Sequence, residues 1–417
     1  MQRFNLSKVL ANLVLNSAQN SRNSSSSKSN KQYAPNHGKL LCTNQTTFLI
    51  HSTLHDTSFS NFHSFQTFSH LFFIQPTNIY FNNTKKHQIK KKQWSIKSTL
   101  PSQSTFAYSS TTATLASKPA IASKVRGTGT AIVTPFKGVN ANELDIEGLQ
   151  NLVDSQITGG IDFIVPVGTT GECPTLSHKE HELVIKTVVD RVAGRIPVVA
   201  GTGSNNTTEA ISLTQFAKDC GADAALIVNP YYNKPSQNGL FLHFQAIAAA
   251  VDLPIVLYNI PSRCGITMQP ETVAKLWNEI PNIIAIKEAT GSLDIASKIR
   301  ALCPIPIVSG DDTLTLPLMS IGGCGVISVL SNVAPKLVKS IVDEANAGNW
   351  KAAADNHCRL HKLMGTMFID TNPVPVKEAA QVMGIIGSSA VRLPMAPIEP
   401  AKREILMAVL KEYKLIE

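Results

Sequence analysis

Acidic residues are almost missing from the first third of this 417-residue sequence. Residues 1–126 carry one acid, Asp56, against 15 Lys/Arg, a formal charge of +14. The remaining 291 residues carry 23 Lys/Arg and 28 Asp/Glu, a charge of −5, so the +9 of the whole chain belongs to its N-terminal part. This argues against nucleic acid as a partner, because the part with folding potential is itself mildly acidic. Paired cysteines are missing too. Cys42 lies in the basic segment, and Cys173, Cys220, Cys264, Cys303, Cys324 and Cys358 show no C-x-x-C and no paired spacing. That argues against a disulfide framework or a zinc pattern and for a reducing compartment. No run reaches about 18 uninterrupted apolar residues, so no membrane span is expected. H-E-x-x-H is absent, and His178 and His181 at i, i+3 have no third ligand near in sequence. No metal is expected, and the chemistry falls to amine, phenol and hydroxyl groups.

What fills the first 126 residues is polar. They contain 34 Ser/Thr, including the run Ser24–Ser27, and show no sustained apolar periodicity. Such a segment cannot offset its conformational entropy with buried area and reads as a disordered arm. Ser-rich, Lys-bearing and nearly acid-free is the composition of an organelle transit peptide. A plastid address is the expectation, with the mitochondrion as the alternative and an uncleaved tail as the plainer reading. The run Lys85–Lys92 is read as a charged, solvated part of that arm.

From residue 128 to 332 one phrase recurs eight times. A short Val/Ile/Leu-rich run ends in Gly, Pro, Asn, Asp, Ser or Thr, and a helix-length segment follows. The runs lie at 130–135, 162–168, 196–203, 224–230, 254–261, 283–291, 306–312 and 325–332. Continuous β-branched runs indicate strands buried on both faces, and eight strand–helix units indicate an α/β fold, a (β/α)8 TIM barrel. An open doubly wound sheet is the runner-up, disfavoured because no run leads into G-x-G-x-x-G or a P-loop. The barrel is expected over 127–339 and a C-terminal helical subdomain over 340–417.

In such barrels chemistry sits at the C-terminal ends of the strands. Lys287 ends strand six, where alternation puts Ile283, Ala285 and Lys287 on one face. Facing inward, its amine is desolvated and shifts toward the neutral form that imine chemistry needs. Facing outward, it is a surface lysine beside Glu288. Tyr258 ends the neighbouring strand, close enough to relay protons to an amine. Arg263 follows in the same loop and suits a carboxylate substrate. Thr169 and Thr170, between Gly168 and Gly171, offer hydroxyls and converging amides to an anion, or form a tight turn. Tyr231 and Tyr232 end strand four, where at most one can face the lumen.

Together these strand ends resemble one family. AIVTPF, GTTGE, HxxHE, AGTGSN, NPYYNKPSQ, YNIPSR, IKEATG, SGDD, GVISV, NPVPVK and RLPM follow in the order found in dihydrodipicolinate synthases, class I pyruvate-dependent aldolases. The resemblance runs from about Gly129 to the C-terminus. It implies condensation of pyruvate with aspartate semialdehyde through an imine on Lys287, with no cofactor beyond that covalent adduct. It implies a proton relay of Thr169, Tyr258 and Tyr232, the last reaching into a neighbouring subunit of a homotetramer. Thr170 would hold the pyruvate carboxylate and Arg263 that of the semialdehyde, while Gly310 and Ile327 line the pocket. His178, His181, Asn205, Glu209 and Tyr231 fall on the family's feedback site for lysine. A sugar-acid lyase acting on another acceptor, and a non-catalytic lysine-sensing barrel, are the competing readings.

Overall fold

The computed structural model describes residue 118 and residues 120–417. The basic arm up to residue 117, with Cys42 and the reading as a transit peptide, lies outside the described residues. Eight parallel strands form the sheet: β1 (Gly127–Ala131), β2 (Phe163–Val165), β3 (Val199–Gly201), β4 (Ala224–Val228), β5 (Ile255–Asn259), β6 (Ile283–Glu288), β7 (Ile307–Ser309) and β8 (Gly325–Ser328). Their order is β2-β1-β8-β7-β6-β5-β4-β3. A parallel bridge between Ile164 and Val198 joins the two ends, so the sheet closes as a barrel rather than as the open doubly wound alternative.

Helices follow the strands in turn. They are α1 (Ile146–Thr158), α2 (His178–Val192), α3 (Thr207–Asp219), α4 (Gln237–Ala250), α5 (Pro270–Glu279), α6 (Leu293–Leu302), α7 (Thr315–Ser320) and α8 (Pro335–Asn346). Their starts are fixed by side chains that satisfy orphan amides. Asp145 accepts from Gly148 N, Asn206 from Thr208 N and Ser292 from Ile295 N. Ser177 and Glu180 form a reciprocal capping box on α2. The segment after β8 is helical, as expected. However, α8 spans residue 340, packs on β1 and is tethered by Lys339 to Asp162, so it is the barrel's eighth helix. Three further helices make the C-terminal extension: α9 (Trp350–Thr366), α10 (Val374–Val382) and α11 (Pro400–Glu412).

Two apolar shells divide the side chains. The inner one takes Ala131, Phe163, Val165, Val199, Leu226, Val256, Tyr258 and their neighbours from every strand, and the outer one meets the helices. Strand β6 breaks the expected alternation. Ile255 pairs with Ile283, but Val256 pairs with Ala285, so Ile284 is an extra residue in the ladder. Ile284 and Ala285 both join the inner shell, whereas Ile283 and Ile286 join the outer one. Ile283 therefore does not share the face of Lys287. The bulge resets the phase, and the resumed alternation carries Lys287 inward opposite Tyr258.

Residues 120–126, grouped on composition with the arm, belong to the barrel. Ala122 and Val125 enter the inner shell below the first residues of β1. Lys118, 9% exposed, lies 4.2 Å from the centroid of the Trp277 ring and donates to Trp277 O at 2.7 Å and Ile280 O at 3.0 Å. The polar spelling of this segment hid two apolar residues spaced to plug the lumen.

Candidate active site

At the C-terminal mouth, Lys287 and Tyr258 are register partners on adjacent strands. Each is 5% exposed, and the amine stands 4.2 Å from the centroid of the phenol ring. Neither a carboxylate nor a carbonyl hydrogen-bonds the amine among the described residues. Burial pulls its pKa from 10.5 to about 7, with the buried carboxyl of Asp312 opposing and the Arg263 guanidinium assisting. Half of such a population is neutral near pH 7, and the neutral amine is a nucleophile toward a carbonyl. Burial pushes the Tyr258 phenol up to about 12, against a hydrogen bond with the Thr169 side chain and the nearby Arg263. It therefore stays protonated and can donate.

Gly310 follows β7 beside this pair. A Cβ there would stand 2.6 Å from Ala289 Cβ and 3.0 Å from Lys287 Cε, so only glycine leaves the lysine stem its path. Ile327, fully buried on β8, closes the inner shell next to it. The loop after β2 brings Thr169 and Thr170. Thr170 is 2% exposed, and its hydroxyl accepts from Asn372 Nδ2 at 3.0 Å. Arg263, on the exposed rim after β5, donates through Nη2 to Asn372 O at 3.4 Å. Amine, phenol, two threonines and a guanidinium thus meet at one mouth, an arrangement suited to a small carbonyl compound bearing a carboxylate.

The two tyrosines after β4 part company, and neither faces the lumen. The strand ends at Val228, and Tyr232 adopts a φ of 71° and is 90% exposed. Tyr231, 38% exposed, instead lines a cavity of about 210 Å³ with Cys173, His178, His181 and Glu209. A second cavity of about 440 Å³ shares His178 and Glu209 with it and adds Asn205. Within these walls His178 Nε2 lies 2.6 Å from Glu209 Oε1, and His181 Nε2 donates to Gly201 O at 2.9 Å. Hydrogen bonds from Ser204 and His178 hold the Glu209 carboxyl below its usual range, so it offers a charge to a cation. All five residues expected at an effector site line these two cavities.

Asn372, Glu172, Lys377 and Asp312 were given no role from sequence. NPVPVK and SGDD are legible as motifs, but no spacing signals that Asn372 would return to Thr170 across 202 residues. Among the described residues, no group of three or more His, Cys, Asp or Glu could hold a metal ion.

A model of the dihydrodipicolinate synthetase family matches residues 124–413. The chain belongs to this family. Among its relatives, the 4-hydroxy-tetrahydrodipicolinate synthase of Citrifermentans bemidjiense is 56% identical over 293 residues, 70% of this chain and 99% of that one. Among solved structures, the dihydrodipicolinate synthase from Aquifex aeolicus is 46% identical with a TM-score of 0.68, covering 70% of this chain and 98% of its own. DHDPS from Cyanidioschyzon merolae, a structure with lysine bound, is 40% identical with a TM-score of 0.67 and covers 70% and 99%. The family match begins at residue 124, so Lys118 and Ala122 lie ahead of it.

Proposed function

We propose that this chain is a lyase that condenses pyruvate with L-aspartate 4-semialdehyde, the 4-hydroxy-tetrahydrodipicolinate synthase reaction of lysine biosynthesis. One observation carries the reading: a buried, unpaired lysine lies against a phenol with a guanidinium at the rim. Neutral Lys287 attacks the keto carbon of pyruvate. Water leaves, its proton supplied through Tyr258 and Thr169, and an iminium forms on Nζ. Loss of a methyl proton gives the enamine, whose carbon attacks the aldehyde and forms the new carbon–carbon bond. The amino group of the semialdehyde then displaces Lys287 from the imine carbon, which closes the ring and frees the enzyme. No metal or other cofactor enters these steps.

Thr170, with the amides of its loop, is assigned the pyruvate carboxylate, and Arg263 that of the semialdehyde; Gly310 and Ile327 shape the pocket. Tyr232 completes the relay in the site of a neighbouring subunit of a homotetramer, and its exposure and left-handed backbone support that role. Lysine is assigned to the cavity of His178, His181, Asn205, Glu209 and Tyr231 as a feedback inhibitor. The names of the most similar relatives and the rim position of Arg263 favour this acceptor over that of a sugar-acid lyase. The basic arm is assigned as a plastid transit peptide, with the mitochondrion as the alternative destination. Import of residues 1–126 fused to a fluorescent protein tests the address.

The test of the reaction is pyruvate with borohydride followed by mass spectrometry. The expected product is one reduced adduct on Lys287, and an adduct elsewhere, or none, overturns the imine mechanism. Turnover with aspartate semialdehyde, set against N-acetylneuraminate cleavage, decides the acceptor.

A further inference from the structure

Thr170 is gripped from the C-terminal extension. Asn372 donates to its hydroxyl at 3.0 Å, and five residues on, Lys377 donates to Glu172 Oε1 at 2.7 Å and to Thr134 O at 3.0 Å. Glu172 follows Thr170 by two residues, at a φ of 53° that a glutamate adopts only when held. The ring Thr170–Asn372–Lys377–Glu172 closes on itself, and its members are 2%, 7%, 0% and 3% exposed.

A second grip starts from the other oxygen of Glu172. The backbone N–H of Arg392 donates to Oε2 at 3.2 Å. Its guanidinium reaches the opposite way, to Thr175 O at 3.1 Å and to the two oxygens of Glu180 at 2.9 and 2.6 Å. Thr175 closes the turn Cys173–Thr175, and Glu180 stands in the first turn of α2 between His178 and His181. Cys173, His178 and His181 line the smaller cavity, so Arg392 joins two pieces of its wall to the ring around Thr170. Both cations stand over the Phe136 ring, Lys377 at 4.2 Å and Arg392 at 4.3 Å from its centroid.

We propose that Arg392, Glu172 and Lys377 are positioning residues that carry occupancy of the effector cavity to the threonine pair within one subunit. This rests on the reading of that cavity as a lysine site. A ligand ammonium drawn to Glu209 sits against the start of α2. Any shift of that turn moves Glu180, and a two-bond fork passes on rotation as well as distance. Glu172 is close-packed and already in a restrained backbone state, so the shift is not absorbed there and arrives at Thr170.

The test uses the full chain and the variants Arg392→Gln and Glu172→Gln. Lysine binding is measured by calorimetry, and activity by its residual fraction at saturating lysine. Arg392→Gln is expected to bind lysine within about threefold of the parent, yet to keep most of its rate at saturating lysine. Glu172→Gln, close to isosteric, is expected to show the same partial inhibition with a raised KM for pyruvate, and it serves if Arg392→Gln does not fold. A merely structural role lowers melting temperature and basal rate but leaves fractional inhibition at the parent's value; that result overturns the proposal. A parent that neither binds lysine nor slows in its presence removes the reading of the cavity, and the coupling with it. Identical inhibition of parent and both variants removes the coupling alone.

Discussion

The N-terminal end of the barrel holds Lys118 and the C-terminal end holds Lys287, both out of water, and the two amines are treated in opposite ways. Lys118 has two carbonyl acceptors and an indole face, and its pKa is lowered, chiefly by burial, to about 8. Lys287 has a phenol face and no acceptor among the described residues, and burial takes it to about 7. Lys377, beside the mouth, is buried more deeply than either, yet it has three acceptors: the Glu172 carboxylate and the carbonyls of Thr134 and Ala390. A lysine supplied with acceptors fastens two pieces of chain together. One denied them costs stability and becomes reactive. Depth of burial does not separate the structural lysines from the reactive one; the supply of acceptors does.

The sharpest break in that comparison is Lys287→Met. Turnover is expected to fall by more than about 1,000-fold, since the covalent route is lost. Thermal stability is expected to hold or rise. The folded pKa near 7 lies below the ordinary 10.5, so the unfolded chain binds more protons between those values, and stability gained on going from pH 7 to 10.5 should vanish in the variant. A melting temperature that falls along with the activity would put Lys287 in the same class as the other two.

Lys377→Met is expected to act first on stability. It leaves Glu172 buried without its partner, and denaturant titration should show a loss of about 3–5 kcal/mol. Lys118→Met comes next, with about 1–3 kcal/mol lost from two unmet carbonyls and the indole contact, while kcat stays within about twofold. A chain starting at Gly127 should show at least that loss, and unchanged melting would remove the lower plug from the account. The smallest effect is in pH. Below about 7, kcat/KM for pyruvate should drop about tenfold per unit as Lys287 takes up its proton, then level above it. A profile flat from pH 6 to 8 would contradict the unpaired state of the amine.

The eight strands and the mouth residues were legible because buried parallel strands are written as apolar runs ending in polar or small residues. Lys287, Tyr258, Thr169, Thr170 and Arg263 all meet there. The side of β6 that carries Ile283 was not legible, because a bulge is set by pairing with β5 and leaves no mark in a run of Ile-Ile-Ala-Ile. Asn372 and the Glu172–Lys377 pair were beyond reach for a different reason: their partners lie more than 200 residues away in the chain. The plug at 118–126 was missed because its few apolar residues are diluted among polar ones, and composition averages over both.

The bulge at Ile284 absorbs one residue that β5 does not match, and the ladder runs in step on either side of it: Ile283 stands by Ile255, Ala285 by Val256 and Lys287 by Tyr258. Register partners on parallel strands share a face, so the inward aim of Lys287 is set by its pairing with Tyr258 and not by its count from Ile283. The extra residue is therefore a dispensable spacer. A chain lacking Ile284 would keep Ile283 against Ile255 and Lys287 against Tyr258 with regular alternation between them, and its amine would still face the lumen. A strand built this way tolerates one residue more or less ahead of its reactive group and leaves the chemistry in place.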